Sequence, residues 1–142
     1  VNYEEWQAGV PACITGDTIW RVEAYRLSLF LSDLAWCDVS TLMKDGRTRE
    51  AAGQLHRSVG KISACITEGY SRGTGRGRAV FYEYALGSVR ETRDWYFKSR
   101  HVLGEEVTMH RLELCTRIAK LTTTMVRRDR SAGRQFEAGG GT

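Results

Sequence analysis

Apolar residues recur at helical spacing through most of this chain. From Asp17 to Leu42, Trp20, Ala24, Leu27, Leu31 and Leu34 advance by three or four positions, the spacing that lines one face of an α-helix. Asp17 or Thr18 has the short acceptor side chain that caps such a helix. Val22, Tyr25, Leu29 and Trp36 make a second apolar stripe on another face. A helix apolar on two faces needs two partners, so these four residues are the expected oligomer interface. Ala51, Leu55, Val59, Ile62 and Ile66 predict a second helix over about Thr48 to Glu68. Phe81, Tyr84, Ala85, Ser88, Thr92 and Trp95 predict a third, capped by Thr74, with small residues at its centre that let helix axes approach closely. After Gly104, Val107, Leu114, Ile118, Leu121 and Met125 predict a fourth. Glu105 and Glu106 suit the positive end of its dipole, and Arg127-Arg128-Asp129-Arg130 the negative end.

Punctuation sets the expected boundaries. Gly9-Val10-Pro11 and Thr15-Gly16 make residues 1–16 an irregular arm from which Trp6 and Ile14 pack on the body. Pro11 is the single proline, which leaves the remaining chain free for long helices. Gly69 is placed to stop the second helix in the left-handed conformation. Gly53 and Gly60 each cost about 1 kcal/mol relative to alanine inside a helix, which a closely approaching neighbour helix would justify. Residues 131–142 lack periodicity and read as a frayed tail. Four amphipathic segments on short connections predict an all-α fold, an antiparallel up-down-up-down four-helix bundle over residues 17–130.

Composition narrows the chemistry. A length of 142 residues suits one domain. The net charge of +4 is compatible with a polyanionic partner without requiring one. The four cysteines, Cys13, Cys37, Cys65 and Cys115, form no CxxC pair. The last three fall in helical, partly apolar stretches and are expected to be buried free thiols. His56, His101 and His110 show no zinc-ligand spacing, so no metal site is expected. No apolar run reaches the ~20 residues of a membrane span, and the first residues lack a secretory pattern; a cytoplasmic location is expected, with no membrane partner.

The stretch Ile66-Thr67-Glu68-Gly69-Tyr70-Ser71-Arg72-Gly73-Thr74-Gly75-Arg76-Gly77-Arg78, followed by Phe81 and Ala85-Leu86-Gly87-Ser88-Val89-Arg90-Glu91, resembles the signature of the four-helix-bundle proteins encoded in intervening sequences of bacterial 23S rRNA genes. The likeness extends to Tyr25-Arg26-Leu27-Ser28-Leu29 and Arg57-Ser58-Val59-Gly60, and spans roughly residues 20–130. It departs at Lys61-Ile62-Ser63, where many relatives have Ser-Ile-Pro, and at Gly75-Arg76-Gly77, where they often have polar or charged residues. The resemblance implies a ring-shaped homopentamer. More distantly, the chain is similar to the accessory variability determinant proteins of diversity-generating retroelements, pentamers that partner a reverse transcriptase and its RNA.

Candidate chemistry is sparse. Gly73-Thr74-Gly75-Arg76-Gly77 lacks both the lysine and the preceding strand of a phosphate loop, so nucleotide hydrolysis and cofactor binding are not expected. Arg72, Arg76, Arg78, Arg90, Arg93 and Arg100 are the nucleic-acid candidates, since guanidinium pairs with phosphate and stacks on bases. Against that, Asp94 is placed to neutralise Arg90 at i+4, and a solvated helix face is preferred to a nucleic-acid site for these arginines. Glu68 reads as a helix-end carboxylate paired with Arg72 rather than a catalytic group, and Glu83 and Glu91 as ion-pair or interface residues. No catalytic residue is identified. The expected function is a non-enzymatic oligomeric assembly or adaptor protein engaging RNA or an RNA-containing complex, and the competing one is a protein-binding scaffold without nucleic acid.

Overall fold

A computed structural model describes residues 1–139, with side chains described through residue 132. Among these residues there are seven α-helices and no strand. Two short helices, α1 (Tyr3–Ala8) and α2 (Ala12–Thr15), and a 3₁₀ turn (Thr18–Arg21) precede α3 (Glu23–Leu42). Then follow α4 (Arg49–Tyr70), α5 (Gly75–Lys98), the one-turn α6 (Arg100–Leu103) and α7 (Glu105–Gly139). The most extensive pairings are α5 with α7, α4 with α5, and α3 with α4.

The four long helices share one contiguous core. Leu31, Leu42, Leu55, Ile62, Ile66 and Ile118 are fully enclosed in it. Each such side chain contributes about 1.5–3 kcal/mol by leaving water, and truncating one, as in Ile62→Ala, costs about 2–5 kcal/mol through the cavity left behind. In α4 the expected stripe is the buried one, only Ala51 lying at its edge. In α7 the deepest line runs one position over, through Cys115, Ile118, Ala119 and Thr122. Buried hydroxyls run through the same core. Ser28, Thr92 and Thr122 donate to carbonyls one turn back in their own helices, so they enter the interior without orphaned protons. Thr92 Oγ1 also lies 2.9 Å from Ser58 Oγ, linking α5 to α4.

Several expected boundaries are corrected. The arm is helical: the Asn2 side chain accepts from the Glu5 amide and Glu5 reaches back to the Asn2 amide, a reciprocal cap that starts α1 ahead of Gly9. Asp17 caps the 3₁₀ turn by accepting from the Ile19 amide, and Val22, in extended conformation, separates that turn from α3. Gly69 does not stop α4. It is buried within the helix, which ends at Ser71 in right-handed conformation; among the described residues the glycine with positive φ is Gly104, at 84° before α7. Thr74 does cap α5, accepting from the Gly77 amide. The supposed frayed tail continues α7 to Gly139, and residues 140–142 lie outside the described residues. Cys13 and Cys37 are exposed thiols, Cys65 is half-buried, and only Cys115 lies in the core, where burial pushes its thiol up to about 12.

The arm packs on α3 at Phe30, beside the predicted second stripe. Tyr3 and Trp6 pack on Phe30, with ring centroids 5.4 Å apart in both cases, and Trp6 also stacks on Trp20. Polar bonds fix the seam: Trp6 Nε1 donates to Asp33 at 2.6 Å, and Arg26 donates to the Tyr3 hydroxyl and the Trp20 carbonyl.

Candidate functional site

The glycine- and arginine-rich corner between α4 and α5 is a packed joint. A Cβ on Gly69 would stand 2.8 Å from the Tyr82 ring, so only glycine lets Tyr82 lie against α4. Enclosed there, the Tyr82 phenol is pushed up to about 12 by burial. Tyr70, next in the chain, donates its hydroxyl to Thr18 Oγ1 at 2.7 Å and pins the 3₁₀ turn to the end of α4. A Cβ on Gly75 would stand 2.6 Å from the Asp129 carbonyl, so the start of α5 touches the backbone of α7. Arg78 locks this contact: Nε and Nη2 both donate to Asp129 Oδ1, at 3.1 and 3.0 Å, and Nη1 donates to the Arg72 carbonyl.

The six candidate arginines do not form one patch. Arg76 and Arg93 stand 17 positions apart on α5, about 25 Å along its axis. Arg78 is committed to Asp129. Arg72 lies over the Phe81 ring, 4.5 Å from its centroid, rather than on Glu68. Arg93 donates to Thr116, and Arg100 donates to the Phe97 carbonyl while covering the Phe97 ring. Arg90 is exposed, but Asp94 pairs with Lys98 at 2.7 Å instead of with Arg90. Of the acids on α5, Glu83 pairs with Arg130 and Glu91 accepts from Trp95 Nε1.

What the structure gathers is a different set. Contacts at the corner bring Arg72, Arg78, Arg128 and Arg130 together with Arg21 from the 3₁₀ turn. Arg76 and Arg127 adjoin them in sequence. Asp129 and Glu83 each hold one arginine of this pole. Among the described residues Arg21, Arg72, Arg127 and Arg128 have no carboxylate partner. The run Arg127–Arg130 was visible in the sequence only as a dipole-compensating helix end, and Arg21 carried no signal at all.

The proposed interface stripe is also divided. Val22 and Tyr25 pack against the core, and Tyr25 meets Trp20 edge to face. Leu29 is half-buried, whereas Trp36 is 70% exposed, its ring 6.3 Å from that of His56 on α4. On α4, an added Cβ at Gly53 or Gly60 would meet nothing within 4 Å, and the same holds for Gly87 on α5. The neighbour expected to justify Gly53 and Gly60 is not found among the described residues.

At the opposite end, sequence reasoning missed a buried ion pair. Asp38 on α3 accepts from Arg111 Nε at 2.7 Å, from Arg111 Nη2 at 3.2 Å and from the Tyr96 hydroxyl at 2.8 Å. The side chains of Arg111 and Asp38 are 12% and 7% exposed. Burial works against the Arg111 charge, but the hydrogen bonds and charge of Asp38 outweigh it and raise the guanidinium pKa. Burial, reinforced by Asp38, raises that of the Tyr96 phenol. The three groups are mutually satisfied, which marks a structural clamp on α3, α5 and α7 rather than a reactive site.

Among the described residues no cluster of three or more His, Cys, Asp or Glu is placed to hold a metal ion. No helix there is long and apolar enough to cross a membrane. No curated protein and no solved structure matches the chain. The family model described as 23S rRNA-intervening sequence protein matches residues 21–124, leaving the arm and the end of α7 outside the matched region. With most of its length, and every residue of the corner between α4 and α5, inside that match, the chain belongs to the 23S rRNA-intervening sequence protein family.

Proposed function

We propose that the long helices form an antiparallel up-down-up-down four-helix bundle that assembles with further copies of itself, as a non-enzymatic adaptor whose arginine pole engages RNA or an RNA-containing complex. The observation that carries the RNA reading is the surplus at that pole: Arg21, Arg72, Arg127 and Arg128 without carboxylate partners, on walls fixed by the Arg78–Asp129 pair. Self-association is supported by Trp36, left in solvent, and by the open helix-interior glycines Gly53 and Gly60. A ring of five is the count that the family resemblance implies. A reducing cytoplasm, which keeps Cys13 and Cys37 as thiols, belongs to the same proposal.

Salt dependence tests the RNA reading. Four phosphate contacts on a single strand give a log–log slope near −2.8, so raising salt from about 50 to about 200 mM weakens binding about 50-fold. Fluorescence anisotropy with a single-stranded RNA should show that slope, and Arg72→Glu with Arg127→Glu should flatten it. Binding that is absent or insensitive to salt removes RNA from the proposal. The protein-scaffold reading has its own support, since Arg78, Arg93, Arg100 and Arg130 are all occupied within the chain. A protein partner still recovered after nuclease treatment would favour it. Light scattering showing a monomer at micromolar concentration would refute self-association.

A further inference from the structure

Inside the arginine pole lies a cavity of about 510 Å³, bounded by the 3₁₀ turn, the start of α3, the corner between α4 and α5, and the last described turns of α7. That volume falls within the roughly 300–1,000 Å³ typical of small-molecule sites. Val22, Ala24, Leu121 and Met125 supply apolar lining, and Thr18, Tyr70 and Thr124 supply hydroxyls. Two acids face it, and both are engaged: Asp129 by Arg78, and Glu23 by Arg117 at 2.6 Å. Two further lining residues, Arg21 and Arg128, have no such partner among the described residues. The unanswered charge in the cavity is therefore positive, which selects against cations.

We infer that this cavity binds a small amphipathic organic anion, its phosphate or carboxylate head between Arg21 and Arg128 and its apolar body against Val22, Leu121 and Met125. Guanidinium supplies charge-assisted, geometrically matched hydrogen bonds to such a head. Val22, Ala24, Leu121 and Met125 lie away from the arginines, so a head group alone would leave this apolar part of the lining unused. The walls are set in advance by the Tyr70–Thr18 hydrogen bond and the Arg78–Asp129 pair, which lowers the ordering cost of binding. Thr18, Met125, Arg128 and Asp129 all lie outside residues 21–124. The cavity is thus completed by the 3₁₀ turn and the end of α7, and its test uses other variants than those that test RNA binding.

The test titrates the full chain with 8-anilinonaphthalene-1-sulfonate, a fluorescent anion with an aromatic body. One saturable site per chain with blue-shifted emission is expected. Combining Arg21→Ala with Arg128→Ala should weaken it at least ten-fold, and Thr124→Trp, which fills the cavity from a solvent-facing position, should abolish it. Circular dichroism melting checks that both variants remain folded. Displacement by adenosine 5′-monophosphate would assign a phosphate head, and displacement by decanoate a carboxylate. Arg72→Glu with Arg127→Glu, the pair that tests RNA binding, should leave the dye affinity unchanged. Absence of a saturable site, dye binding that survives both cavity variants, or equal displacement by inorganic phosphate alone would overturn the inference.

Discussion

Replacing Asp38 with alanine should be among the most damaging single changes this protein can suffer. Asp38 is the acceptor for both Arg111 and Tyr96, and the ion pair is almost sealed from water. Removing one partner of a buried pair leaves the other charge uncompensated, at a cost of about 3–5 kcal/mol. The orphaned Tyr96 hydroxyl adds a penalty of about 1–3 kcal/mol taken alone, but the two overlap because water admitted to Arg111 also reaches Tyr96. A net loss of about 3–5 kcal/mol is expected, against a total stability of about 5–15 kcal/mol for a domain. With a urea m-value near 2 kcal/mol/M, the midpoint should fall by about 1.5–2.5 M at fixed chain concentration, followed by circular dichroism. Asp38→Ala with Arg111→Ala should be less damaging than the sum of the singles, with a coupling of at least about 2 kcal/mol. Asp38→Leu, Arg111→Met and Tyr96→Phe together should return stability to within about 1 kcal/mol of the parent, because an apolar replacement removes the desolvation cost as well as the attraction. A midpoint shift below about 0.5 M for Asp38→Ala, or additive single losses, would refute the clamp.

Three further outcomes follow from local geometry. Gly69→Ala should destabilise by about 1–3 kcal/mol, since its Cβ would overlap the Tyr82 ring, and Gly75→Ala by at least as much, since it meets backbone that cannot rotate away; thermal melts compare them. Gly53→Ala and Gly60→Ala should each stabilise an isolated chain by about 0.4–1 kcal/mol, there being open space for the methyl group. If those positions face another copy, the same variants shift the assembly towards smaller species in light scattering. Burial, then the neighbouring Arg111, lowers the His110 pKa, so the unfolded chain binds more protons just below the ordinary imidazole value. Stability should therefore fall as pH drops through about 6.5 and level off below the folded-state pKa. His110→Gln should flatten that segment of a urea-midpoint profile from pH 8 to pH 5, and an unchanged slope would remove His110 as its cause.

The long helices were legible because their apolar periodicity and the caps at Thr74 and Gly104 are local signals. Gly69 shows how a local signal misleads. A glycine beside a loop fits a left-handed stop, but here it answers the bulk of Tyr82, thirteen residues on. On α3, Ala24, Leu27 and Leu31 of the first stripe are buried as the periodicity implied, whereas the second stripe runs from core contacts at Val22 and Tyr25 to solvent at Trp36. Punctuation by Gly9, Pro11 and Gly16 hid the helices of the arm, so its packing on Phe30 was hidden too. The arginine set is divided for a related reason. Guanidinium groups are spent on partners that chain order does not reveal, such as Asp129, 51 residues from Arg78, and Asp38, 73 residues from Arg111.

The aromatic seam of the arm also has an optical consequence. Two of the four tryptophans, Trp6 and Trp20, lie in it, while Trp36 stands in solvent and Trp95 sits half-buried beneath the Lys98 ammonium. Intrinsic emission is therefore weighted towards attachment of the first twenty residues, whereas far-ultraviolet ellipticity is weighted towards the long helices. If the arm releases as its own cooperative unit, emission shifts to the red while ellipticity holds, and the two unfolding curves separate. A kinetic trace of tryptophan emission alone would then time the closing of a latch rather than the folding of the helices it fastens.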